Sequence, residues 1–105
     1  MSYVRACALS VLQEDVPKKV ELNGVPVAIV RTDEGVFAIN DTCSHANVSL
    51  SEGEVEDCMI ECWLHGSSFD LRTGKPSGLP ATRPVAVYPV KIEGDDVLVS
   101  VNQEN

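Results

Sequence analysis

The chain has 105 residues, enough for one domain with a single modest core. Sixteen acidic residues against eight basic ones give a formal charge of −8, which argues against nucleic acid or an anionic membrane as partner and favours a basic protein surface. No stretch approaches the ~18 apolar residues of a membrane span. Residues 1–7 carry no charged segment leading into a signal-length apolar run, so a cytoplasmic protein without a membrane partner is expected.

Taken in order, residues 4–8 read as a first strand, followed by a polar turn at Gln13-Glu14-Asp15 before Pro17. Val20-Glu21-Leu22 runs into Asn23-Gly24, the dipeptide that favours a tight hairpin. Residues 25–30 are apolar and β-branched, with Pro26 near the start, where a missing N–H does least harm. Asp33-Glu34-Gly35 turns the chain into a returning strand at Val36-Phe37-Ala38-Ile39, so the first forty residues predict an antiparallel meander.

Cys58-Met59-Ile60 is short and apolar and predicts another strand. Arg72-Thr73-Gly74-Lys75 is a turn with Gly where a positive φ is needed, and Pro76, Gly78, Pro80 and Pro84 predict a stiff, irregular loop. Residues 85–92 read as one extended segment, Glu93-Gly94-Asp95-Asp96 as a turn, and residues 97–101 as the last strand. No segment holds a helical period beyond a turn or two. The expected fold is all-β, in one domain over 1–105, with an insert at about 42–82 between base segments 1–41 and 83–105.

That insert carries the chemistry. Cys43-Ser44-His45 is followed by Cys62-Trp63-Leu64-His65, a C-x-H-x16-C-x2-H pattern that uses both histidines of the protein. Paired thiolates and imidazoles suit Zn²⁺ or an iron–sulfur cluster. A zinc finger keeps its cysteines together and its histidines together, whereas here each pair is mixed. Two loops that each offer one sulfur and one nitrogen suit a two-iron centre, with both thiolates on one iron and both imidazoles on the other.

C-x-H with C-x2-H-G, and Gly66-Ser67 following, resembles the Rieske [2Fe–2S] signature. The run from His65 to Lys75 and the segment Val87-Tyr88-Pro89-Val90-Lys91-Ile92-Glu93-Gly94-Asp95 look like the Rieske-type ferredoxins of bacterial aromatic-ring-hydroxylating dioxygenase systems. The resemblance implies a Rieske-like antiparallel β-sandwich with an inserted cluster-binding subdomain. It implies one [2Fe–2S] cluster on Cys43, His45, Cys62 and His65, with the imidazole-bound iron near the surface. It also implies a one-electron carrier that takes electrons from a flavin-dependent, NAD(P)H-oxidising ferredoxin reductase and passes them to a terminal oxygenase. In high-potential members a disulfide links the two loops, but Val48 and Leu64 stand at those positions. Ser67 matches the family's serine donor, and Phe69 stands where a tyrosine donor would be. Fewer donors leave the reduced cluster less stabilised, so a potential of about −150 mV rather than about +300 mV is expected.

The chain is not expected to be an enzyme. An oxygenase of this class needs two further histidines and a carboxylate for a second iron, and none remain once His45 and His65 are used. Cys7 and Cys58 are expected as buried thiols. Trp63 is expected either to pack over the cluster or to form a docking surface. The acidic run Glu52, Glu54, Glu56, Asp57 and Glu61 reads as a solvated or a docking face. Alternatives are a ferredoxin serving iron–sulfur cluster assembly, a structural zinc module with two Cys and two His ligands, and a redox sensor.

Overall fold

The computed structural model describes residues 3–43, 48–64, 67–77 and 83–101. Among them, ten strands form three antiparallel sheets. The central sheet has the order β2 (Lys18–Leu22), β3 (Val25–Thr32), β4 (Gly35–Asn40), β8 (Val87–Tyr88). Asn23 and Gly24 both take positive φ, 53° and 81°, which makes the two-residue turn between β2 and β3 the kind that matches strand twist. The meander expected from the first forty residues is therefore this sheet's core.

A second sheet joins the ends of the chain. It is ordered β1 (Val4–Ala8), β10 (Asp96–Val99), β9 (Val90–Glu93), with Val4 opposite Val99. Cys7, Val97 and Val99 from this sheet meet Leu22, Val27, Ile29, Ala38 and Tyr88 of the central sheet in one apolar cluster. The third sheet is small: β5 (Val55–Glu56), β6 (Met59–Glu61) and β7 (Ser68–Asp70). Its inner residues Ile60 and Phe69 join Ala28, Val30 and Ile39 from the opposite face of the central sheet.

The central sheet is thus buried on both sides. This explains why residues 27–30 form an unbroken apolar run, all at 0% exposure, where a half-solvated strand would alternate. Val27 and Ile29 serve one core while Ala28 and Val30 serve the other.

Two sequence expectations need correction. The extended segment at 85–92 is two strands in two sheets: β8 pairs with β4, and β9 pairs with β10. Pro89 sits at the switch, where it has no N–H to offer a ladder, and its carbonyl accepts a hydrogen bond from the Ser100 N–H (3.1 Å). Cys58 is not in a strand. Asp57 (φ 55°) and Cys58 (φ 61°) form a tight turn between β5 and β6, a left-handed pair without the glycine that would have marked it. The strand expected at 97–101 is β10, Asp96–Val99. The helical content among the described residues is two single turns, Leu9–Val11 and Leu50–Glu52. None is long and apolar enough to cross a membrane.

Candidate metal centre

Strand β4 leads into the first of the two loops expected to carry the ligands. Directly after it, the Asp41 N–H donates to the Pro26 carbonyl (3.0 Å), and the Asp41 carbonyl accepts from the Leu50 N–H (2.6 Å). Thr42 is bridged to Ser49, and the Cys43 N–H donates to the Val48 carbonyl (3.0 Å). The loop therefore has a neck of paired backbone, 41–43 against 48–50. The Asp41 carboxylate is 1% exposed. One oxygen accepts from the Ser51 N–H (2.9 Å), and the other lies 3.8 Å from the Lys19 ammonium. A buried carboxylate held by an amide and a cation fixes the neck to β2 and to the turn at Leu50–Glu52.

The second ligand loop sits between β6 and β7 and has a matching neck. The Cys62 N–H donates to the Ser67 carbonyl (2.6 Å), again across five residues. Its support comes from paired strands, Ile60 against Phe69 and Glu61 against Ser68. The Glu61 N–H donates to the Glu54 carbonyl (2.8 Å). Gly53 makes this approach possible, because a Cβ there would lie 1.7 Å from the Glu61 carbonyl oxygen, in the peptide that precedes Cys62.

Cys43 is 3% exposed and Cys62 0%. Both belong to the apolar cluster that holds Ile60, Phe69 and Leu50. None of the protein's four cysteines is in a disulfide. Two buried thiols, each at the neck of a six-residue loop whose sequence also holds a histidine, are a donor set suited to a soft or borderline metal. The apolar surroundings would keep water from the sulfurs. His45, His65 and Gly66 lie outside the described residues, as do Gly78 and Pro80 of the expected irregular loop. Among the described residues no group of three or more metal-ligating side chains converges.

The remaining cysteines are buried, as expected. Cys7 lies in the core between the two larger sheets, and Cys58 in the same cluster as Cys43 and Cys62. Burial pushes the Cys58 thiol pKa up, and a hydrogen bond from Thr32 acts the other way. Burial likewise raises the Cys7 thiol. Phe69 is fully buried with its ring in the cysteine-bearing cluster, and Val48 packs against that cluster. Trp63 and Leu64 are 50% and 42% exposed. Sequence reasoning missed Asp41 and Gly53. An acid placed directly between a strand and a ligand loop was the available signal for the first. The second has none, since Gly53 is needed for clearance and its φ is an ordinary −91°.

Comparison with known proteins supplies the family. The model of the Rieske [2Fe-2S] domain matches residues 2–89. The chain is 40% identical over 102 residues to the 3-phenylpropionate/cinnamic acid dioxygenase ferredoxin subunit of Shigella flexneri serotype 5b, covering 96% of this chain and 95% of that protein. Among solved structures it is similar to the ferredoxin of carbazole 1,9a-dioxygenase from Nocardioides aromaticivorans IC177. That match has a TM-score of 0.91 and 38% identity, over 95% of this chain and 98% of that one. It is also similar to a chain in a complex of reduced oxygenase and oxidized ferredoxin in carbazole 1,9a-dioxygenase, with a TM-score of 0.86 and 35% identity over 92% and 100% of the two chains. With an all-β fold, buried paired cysteines and these relatives, the chain belongs to the Rieske [2Fe-2S] family and is a ferredoxin, a carrier of electrons through a Rieske-type [2Fe–2S] cluster.

Proposed function

We propose that this ferredoxin relays single electrons from an NAD(P)H-dependent flavin reductase to a terminal oxygenase of the aromatic-ring dioxygenase type, in the cytoplasm. Cys43 and Cys62 hold one iron as thiolates, and His45 and His65 hold the other through one ring nitrogen each. Residues 42–82 act as the cluster-binding part, and 1–41 with 83–105 as its base. The observation that carries the reading is the pair of buried cysteines on matched loop necks. The dioxygenase setting is supported by the curated relative, named as a dioxygenase ferredoxin subunit, and by the solved complex of a similar ferredoxin with an oxygenase.

When bound, the cluster supplies one-electron chemistry. The chain's own residues fix the two thiols, exclude water from them, and leave Trp63 and Leu64 of the second loop exposed. The test is the EPR spectrum of dithionite-reduced protein with iron and sulfide counts. A rhombic signal of mixed His/Cys ligation with equal iron and sulfide supports the reading. A silent, colourless, zinc-containing sample overturns it in favour of the structural zinc module.

A further inference from the structure

The tip of the second ligand loop exposes a large apolar pair, and the sheet that carries it has an acidic outer face. Trp63 is 50% exposed and Leu64 42%, one and two residues beyond Cys62. An exposed tryptophan is the residue type most favoured as an interface anchor, and Leu64 extends its apolar area. Period-two alternation in β5 and β6 turns Val55 and Ile60 inward and leaves Glu54, Glu56 and Glu61 exposed. Glu54 faces Glu61 across the ladder, through the backbone bond of 2.8 Å. Like charges directly opposite in a sheet oppose folding.

These acids, with Asp57 and Met59, line an open groove of about 300 Å³, and no basic residue lines it among the described residues. Glu61, at the end of β6, lines the groove and stands two residues before Trp63, so the acidic face and the apolar pair follow one another directly along the chain. A second exposed apolar pair, Val11 (54%) and Val16 (49%), lies on the base and is lined by Lys18 rather than by acids.

We infer that the outer face of β5–β6–β7, with Trp63 and Leu64 at its end, is the docking surface for the redox partner. The partner's own surface is an apolar recess with a lysine- and arginine-rich rim. The acids steer the encounter and the aromatic anchor holds it, which sets the second ligand loop against the partner. This rests on the electron-carrier reading and names the partner's chemistry.

The test uses stopped-flow oxidation of the reduced, cluster-loaded protein by cytochrome c, a basic haem protein. One electron leaves each reduced ferredoxin and reduces one ferric haem, with no bond made or broken. Three variants are compared with wild type: E54Q/E56Q/E61Q, W63S, and E14Q/E21Q/E93Q, which removes the same charge from the base. Cluster content and EPR spectrum are checked for each. At low salt the face variant should react about 10-fold more slowly, with the difference closing at high salt, and W63S about 3-fold more slowly at any salt. The base variant should stay within about 2-fold of wild type. Equal slowing of face and base variants, or none in either, overturns the docking surface and leaves the carrier reading standing. A wild-type protein with no reducible cluster overturns the carrier reading itself, and the docking surface with it.

Discussion

The two cysteine-bearing loops share a neck and differ in what holds it. In each, a cysteine N–H closes a six-residue loop onto the carbonyl five positions later, at 3.0 Å for Cys43 and 2.6 Å for Cys62. Below the first neck stands a buried carboxylate, Asp41, tied to Ser51 and Lys19. Below the second stands a strand pair, with Gly53 admitting the close approach of a third segment. The same local geometry is thus reached once by a polar bracket and once by backbone packing. The brackets should respond to different perturbations.

The largest effect expected is from loss of either neck cysteine, which should cost the cluster. Cys43→Ser or Cys62→Ser is expected to leave protein without visible absorbance or EPR signal, as measured on freshly purified samples, because a hydroxyl is a poor substitute for a thiolate on iron. Next in size is Gly53→Ala, which forces a methyl into the Glu61 carbonyl and should cost about 3 kcal/mol of stability. Asp41→Ala removes the buried acceptor of the half-buried Ser51 N–H and should cost about 2 kcal/mol, read by denaturant unfolding of the cluster-free protein. If the loops are supported independently, the two costs add in the double variant. A clear shortfall would mean that they share one bracket.

Phe69→Tyr tests the electronic side. A hydroxyl hydrogen-bonded in the cysteine-bearing cluster should raise the potential by about 60 mV, a factor of ten in a one-electron equilibrium, read by redox titration. An unchanged potential would mean that the hydroxyl does not reach the cluster's sulfurs.

The smallest effect belongs to the turn after β7. There the Arg72 guanidinium hydrogen-bonds to Asp70 (3.0 Å) and reaches Glu34 (3.2 Å) in the β3–β4 turn. The Arg72 guanidinium holds the Asp70 carboxyl below its ordinary value of 3.8. A lowered carboxyl pKa contributes stability that is complete above that ordinary value and is lost as pH falls through the lowered one. Arg72→Gln should therefore lower Tm slightly at about pH 6 and not at about pH 2, by calorimetry.

Most strands of the fold were legible because their punctuation is written in side chains. Asn23-Gly24 and Gly94 announce turns, and both take positive φ. The cysteine pair was legible through its spacing with histidine. What escaped depended on partners distant in sequence. Residues 85–92 look uniformly extended, and only the competing ladders of β4 and β10 reveal that Pro89 divides them. Asp57-Cys58 turns without glycine because Cys58 is drawn into the apolar cluster, and burial outweighs the local preference against positive φ. Asp41 escaped because its partners, Ser51 and Lys19, stand ten and twenty-two residues away.

The pairing of β1 with β10 sets the order of events in a newly made chain. Val4 waits for Val99, so every strand between them is made before β1 finds its partner strand. Such long sequence separations make for slow folding at a given size. Cys43 and Cys62 are made well before that closure, so both thiols precede the sheet that joins the ends of the chain.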